Sequence, residues 1–477
     1  MRDRKKPYRF YYLIKIVYWL FSLIPGDIMP EKNVNRRNFV KSLSYAGLAF
    51  SGVSGLAHAD IVKKDNLKHW DVIVLGGGPG GVPAAVAAAR NGARVLLVES
   101  YGFLGGMATN ALVNPYMKYK AGDTVLTRGI FEEFIDILLE NGAILPDRAH
   151  IDAEPMKWLL DRFVLDSGAE LLLHARAVGV LKDGGGIKAV RVFHKGGIED
   201  LSADLFIDST GDGDIAEWAG ATIEVGRHQD KACQPMTSCF RMANVDKERM
   251  PERTEINRLY DAAKERGEVT NPRENVLFFS SVHPNVVHFN TTRIVGKSAL
   301  DGWSMTSAEI EGRRQIDDMV KFLKKEVAGF EKAFLMKSGS QIGIRESRRV
   351  IGNYVLTAED VLEARHFDDG ITCACYDIDI HNPAGTGTDI RRLKPGTWYD
   401  IPYRCLVPKG VNNLLIAGRS ISATHEAHSS LRVMPIVWGI GQAAGIAASM
   451  CIKDGIAPGK VDAKTLRAKL TEQGAFV

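Results

Sequence analysis

Apolar residues in this chain fall into short β-branched runs separated by helical and irregular stretches, the alternation expected of an α/β protein with a buried parallel sheet. Residues 71–75 (Asp-Val-Ile-Val-Leu) predict a buried strand, and the Ala-rich stretch 82–90 predicts a helix behind it. Residues 94–98, 203–208 and 413–417 predict further strands. Residues 177–181 and 187–193 alternate with period two around a glycine-rich turn at 183–186, which predicts a hairpin. Toward the C-terminus Gly439, Gly441, Ala443, Ala444, Gly445, Ala447 and Ala448 predict a helix whose small residues let another backbone approach closely.

Composition narrows the class. A chain of 477 residues, 45% hydrophobic and 25% charged, is too long and too apolar for disorder or a disulfide miniprotein. The formal charge of +4 is unevenly spread: residues 1–59 carry +7, which leaves the body mildly acidic. With no basic stripe in that body, a nucleic-acid partner is not expected. The six cysteines form no C-x-x-C pair, and Cys373 and Cys375 stand one residue apart, so burial or an incidental disulfide is expected and a metal site is not.

The basic leader carries an address. Arg36-Arg37 precede Phe39, a modest apolar run at 42–56, and Ala57-His58-Ala59. This order is similar to a twin-arginine signal peptide, which implies export through the twin-arginine machinery and a mature start near Asp60 in the periplasm. An earlier apolar stretch, 10–24, is interrupted by Lys15 and falls short of a membrane span; an early start codon or a membrane-surface anchor accounts for it. No downstream segment is expected to approach membrane-span length without charges.

The first strand runs into Gly76-Gly77-Gly78-Pro79-Gly80-Gly81. Gly76, Gly78 and Gly81 fit G-x-G-x-x-G: a tight turn, a close approach to pyrophosphate, and a helix packed on a strand. The helix N-terminus then offers free N–H groups to phosphate. Glu99 ends the next strand, 18 residues after Gly81, where a carboxylate accepts from ribose hydroxyls and disfavours a 2′-phosphate. Strand, turn, helix, strand and acid in that order point to a dinucleotide.

Three later segments carry a resemblance. Residues 104–109 (Leu-Gly-Gly-Met-Ala-Thr), the Thr210-Gly211-Asp212-Gly213-Asp214 segment, and Gly418-Arg419 followed by Arg432-Val-Met-Pro435 and Gly-Gln442-Ala-Ala-Gly resemble the bacterial FAD-dependent oxidoreductases. More distantly they are similar to fumarate reductase flavoproteins. The resemblance spans residues 70–450. It implies FAD, a Rossmann-like FAD-binding domain of the glutathione-reductase type with an inserted substrate or cap domain, and cofactor contacts at Gly105, Gly106, Thr109, Thr210, Gly211, Asp212, Gly418, Arg419, Pro435 and Gln442. Asp212 and Asp214 also read as helix N-caps.

The expected organisation is a leader at 1–59, flavin-domain parts at 70–117, 164–232 and 405–455, cap segments at 118–163 and 233–404, and a tail at 456–477. Two cap segments are rich in polar chemistry. One contains Arg345, Glu346, Arg348 and Arg349; in the other, alternation puts Asp377, Asp379 and His381 on one strand face. The expected activity is hydride transfer between flavin N5 and a small or sugar-like organic substrate. His425 or His381 would handle the substrate proton, and Arg345 and Arg432 would hold a carboxylate or developing negative charge. His425 is favoured by its place after the 413–417 strand. No second nucleotide fingerprint follows, so the electron donor or acceptor is external. A redox-neutral lyase or hydrolase is the alternative, and an electron carrier a weaker one.

Overall fold

The structure, a computed structural model, describes residues 67–477. The leader, its arginine pair and the stretch 10–24 lie outside the described residues. Residues 67–477 form one compact unit.

A seven-stranded sheet organises that unit. The strand His69–Leu75 lies in its middle because Val72, Ile73, Val74 and Leu75 are all buried, leaving neither face for water. It pairs in parallel with Val95–Val98 on one side and Gly197–Asp208 on the other. Glu170–Leu172 and Leu414–Ile416 extend the parallel pairing outward. The strand Gly197–Asp208 is long enough for two partners: its first half pairs antiparallel with Gly186–His194, which returns as a hairpin to Arg176–Asp183. The expected glycine turn is present, with Gly184 at φ +58°.

Two helices pack against each other beside this sheet, Gly81–Arg90 and Met434–Asp454. A Cβ at Gly441 would strike the carbonyl of Gly80, and one at Gly445 that of Ala84. The small residues of the C-terminal helix are thus required by backbone contact. This helix is long and apolar enough to cross a membrane, which corrects the expectation that no downstream segment reaches that length; it is buried in the core.

The segment expected as a first cap element, 118–163, belongs to the main core. Phe131 and Phe134 from the helix Ile130–Glu140 pack on Trp438, and Phe134 also meets Phe163. Much of 350–404 is buried there too, including Ile371, Ile378 and Tyr399. The cap has a separate core built on a four-stranded antiparallel sheet, where Phe240 and Phe289 stack at 4.8 Å with Tyr260, Phe322 and Phe330 around them. Arg241 of this sheet reaches Asp152 at 2.8 Å, a buried ion pair that ties cap to body. All six cysteines are free thiols, and all but Cys233 are buried.

Candidate active site

Strand ends and the glycine turn open into a cavity of about 1200 Å³ that continues to the cap. One end is lined by backbone. Gly76 turns the chain at φ +101°, a conformation glycine adopts without strain, and its missing Cβ admits the Ser209 carbonyl. Gly81 packs on the carbonyl of Gly76. Gly78 differs: a Cβ there would meet only Gly106 Cα at 3.6 Å, an ordinary contact. Gly418, opposite, likewise has nothing nearer than 3.9 Å. The fold therefore needs glycine at 76 and 81, whereas at 78 and 418 the space is open and faces the cavity, a cradle with room for a ligand.

Glu99 lines the same end. Its Oε2 accepts from Gly77 N at 2.7 Å, and its Oε1 from Ser100 Oγ and Tyr101 N, each at 2.9 Å. It therefore ties the glycine turn to the second strand as well as presenting a carboxylate to the cavity. Gly106, Thr210, Gly211, Asp212 and Arg419 also line the cavity. Asp212 Oδ1 accepts from Arg419 Nη2 and from Ser347 Oγ, each at 2.6 Å, which fixes the wall beside Gly211.

Several expected cofactor contacts serve the fold instead. Gly81 and Gly105 are absent from the main cavity's lining, and Thr109 is buried with its Oγ1 donating to Leu104 O at 2.6 Å, bracing the Gly105-Gly106 turn. Pro435 is buried inside the first turn of the C-terminal helix; its neighbours Val433 and Met434 face the cavity, so the helix N-terminus arrives there without that ring. Gln442 points away: its Oε1 accepts from Ile130 N at 3.2 Å and caps the helix Ile130–Glu140. The helix after Gly211 is not capped by Asp212 or Asp214. Asp208, the last residue of its strand, accepts from Ala216 N at 3.0 Å, from Thr210 N at 3.0 Å and from Thr210 Oγ1 at 2.7 Å. Full burial outweighs those bonds and pushes its carboxyl up to about 6.

The other end of the cavity is charged, with Arg345, Arg432, Arg273, Tyr376, Asp379 and His381 in its lining. Asp379 and His381 alternate on the strand Ile378–His381 as the pattern predicted; Asp377 instead accepts from Leu393 N at 3.0 Å. His381 Nδ1 lies 3.1 Å from Arg293 Nη2. A guanidinium can only donate, so Nδ1 accepts, and the neutral ring carries its proton on Nε2. Burial and four surrounding arginines hold His381 well below the usual histidine range, which agrees with a neutral ring.

His425 does not reach the cavity, a correction to the expectation drawn from strand order. The loop after Leu414–Ile416 turns back, and Thr424 caps a short helix that begins at His425. The imidazole is thereby buried, with Nδ1 2.8 Å from Glu346 Oε1. Glu346 is itself enclosed, accepting from Arg349 Nη1 at 2.6 Å and from Gln234 N at 3.0 Å. His428 is fully buried and also off the cavity. Gln234 was not legible as functional, yet its Oε1 accepts from Arg432 Nη2 at 3.3 Å and from His381 N at 3.4 Å, and the adjacent Pro235 carbonyl accepts from Arg345 Nη1 at 2.6 Å. Nothing local marks Gln234, because its role depends on partners more than 100 residues away.

The FAD dependent oxidoreductase family model matches residues 71–470. The chain belongs to this family. FAD is its cofactor, and the open positions at Gly78 and Gly418, with the Glu99 carboxylate between strand and turn, suit a dinucleotide at that end. The oxidoreductase is 26% identical over 170 residues to digeranylgeranylglycerophospholipid reductase of Methanothrix thermoacetophila, covering 31% of this chain and 41% of the relative. It is 26% identical over 196 residues to the same enzyme of Thermoplasma volcanium, covering 38% and 48%. It thus spans less than half the length of these curated relatives. Among solved structures, a geranylgeranyl bacteriochlorophyll reductase-like protein of Thermoplasma acidophilum is similar at 13% identity and a TM-score of 0.42, over 86% of this chain and 84% of that one. The p-nitrophenol 4-monooxygenase PnpA of Pseudomonas putida DLL-E4 is similar at 10% identity and a TM-score of 0.45, over 85% of each chain.

Proposed function

We propose that this flavoenzyme is exported and moves hydride between flavin N5 and a small or sugar-like organic substrate held at the cap end of the cavity. The observation that carries the reading is the position of His381, Arg345 and Arg432, which line the same cavity as the glycine cradle. Gly78, Glu99, Thr210, Asp212, Gly418 and Arg419 would hold FAD. Bound there, it supplies the hydride acceptor or donor. Arg345 and Arg432 hold a carboxylate or the negative charge that develops on the substrate. His381 Nε2–H donates a hydrogen bond to that charge while the ring stays neutral, and Asp379, with Oδ2 3.9 Å from Nε2, is the carboxylate at hand to take a proton. The antiparallel strands between Arg176 and Asp208 and the returning C-terminal strand support the glutathione-reductase type of flavin domain.

Anaerobic mixing of the FAD-loaded protein with candidate organic acids and sugars tests the chemistry. Bleaching of the flavin supports hydride transfer, and His381→Ala should slow it by about 10²–10³-fold with FAD content unchanged. Turnover without bleaching would favour the redox-neutral lyase or hydrolase; electron exchange with another redox protein alone would favour a carrier. Export is supported by the pair Arg36-Arg37 and the Ala57-His58-Ala59 site. Replacing both arginines with lysine should leave an unexported precursor, whereas normal export would argue against the twin-arginine machinery.

A further inference from the structure

The cap end of the cavity holds more positive charge than the fold uses. Arg293 is paired with Glu274 at 3.0 Å, and Arg349 with Glu346 at 2.6 Å. Arg273, Arg345 and Arg432 have no carboxylate within ion-pair distance among the described residues. Arg345 is 8% exposed and donates one hydrogen bond, to Pro235 O at 2.6 Å. Arg273 is 6% exposed; its Nε lies 3.4 Å from Asn275 Oδ1, while its buried Nη1 has no partner. Arg432 reaches Gln234 at 3.3 Å, and its buried Nε is likewise unpartnered. The acids that face them are Glu274, already paired with Arg293, and Asp379, which accepts from Tyr376 OH at 2.9 Å. Three guanidinium groups against one carboxylate leave two positive charges in excess.

A buried charge without a partner costs several kcal/mol, and neighbouring like charges add to that cost. Burial together with Arg432, Arg273 and Arg293 pushes Arg345 down to about 9. Asp379 offsets part of this charge, and among the described residues no ion pair offsets the rest. It is relieved by a ligand of matching charge.

Resting on the hydride-transfer reading of this cavity, we infer that its substrate is a dianion, held by Arg345 and Arg432 on one side and by Arg273 on the other. The division follows from the supports. Arg345 and Arg432 share the bench formed by Gln234 and Pro235, whereas Arg273 comes from the cap segment that also carries Glu274. Two carboxylates or one phosphomonoester meet the requirement.

The test measures binding to the FAD-loaded protein, by calorimetry and by perturbation of the flavin spectrum, and needs no turnover. The probes are malonate, succinate and glutarate as dicarboxylates, glycerol phosphate as phosphomonoester, and butyrate as monoanion. At least one dianion should bind about tenfold or more tightly than butyrate, because its second charge gains charge-assisted hydrogen bonds that a monoanion cannot make. Preference for a dicarboxylate or for glycerol phosphate tells whether the two charges sit on separate groups or on one. Arg273→Gln should remove most of the preference while changing butyrate affinity little, and Arg273→Lys should restore part of it; flavin content checks that the variants fold. Equal affinity for dianions and butyrate, or a preference that survives Arg273→Gln, would overturn the inference. Dianion binding without flavin bleaching by any substrate would uphold the anion site and remove the hydride-transfer reading.

Discussion

Glycines of one motif have different reasons to be glycine. Gly76 and Gly81 accommodate neighbouring carbonyls, so any side chain there collides with backbone. At Gly78 a Cβ meets no protein atom nearer than 3.6 Å, and the space it would take opens into the cavity. Gly78→Ala should therefore leave the circular dichroism unchanged and abolish bound FAD, while Gly81→Ala should give insoluble protein. Stoichiometric FAD in soluble Gly78→Ala would remove the cradle assignment. His425 sits at the same scale with a different outcome. Its bond to Glu346 is buried, so His425→Ala should lower stability by about 1–3 kcal/mol in urea titrations and leave the rate of flavin reduction unchanged. A slowed rate with native stability would return His425 to the chemistry.

Two elements depend on side chains that come from elsewhere in the chain. The helix Ile130–Glu140 begins at Gly129, which has no side chain to cap it, and Gln442 does so across 312 residues. Gln442→Ala should cost about 1 kcal/mol, as a lost cap does, and leave FAD affinity intact by titration of the apoprotein. The helix Asp214–Ala219 is held from the strand end by Asp208. The folded-state carboxyl, at about 6, lies above the ordinary 3.8 of an unfolded chain. Its protonation thus favours folding: that contribution is full below the unfolded value and is lost as pH rises through 6. Relative to wild type, Asp208→Asn should gain up to about 3 kcal/mol between roughly pH 4 and pH 7, read from urea midpoints. Parallel pH curves would place the carboxyl at its ordinary value.

Across the whole molecule, one cavity joins two cores, the sheet with its paired helices and the smaller cap, and the Arg241–Asp152 ion pair anchors one to the other. A cofactor that binds in this cavity stabilises the folded state alone. Stripping FAD should lower the unfolding free energy by about 2.7 kcal/mol relative to protein held at a hundredfold excess over Kd, and Tm should climb with added FAD. A Tm independent of FAD would mean that the cavity is not where it binds.

Local sequence determined the central strands and the glycine-lined end of the cavity. The strand at 71–75, the glycine turn, the helix behind it and Glu99 lie within 29 residues, and each is specified by its neighbours: β-branched runs bury, glycine takes positive φ, and an acid ends a strand. Asp379 and His381 shared a face for the same reason, since strand alternation is a local rule. Tertiary structure decided the rest. Whether a histidine meets the cavity depends on how the loop before it turns, which separated His381 from His425. Whether Gln442 touches a cofactor or caps a helix depends on which helix packs beside it. The unpaired arginines emerged only when residues 273, 345 and 432 were brought to one wall, because an arginine's need for a partner is set by the charges around it in space, and those come from distant parts of the chain.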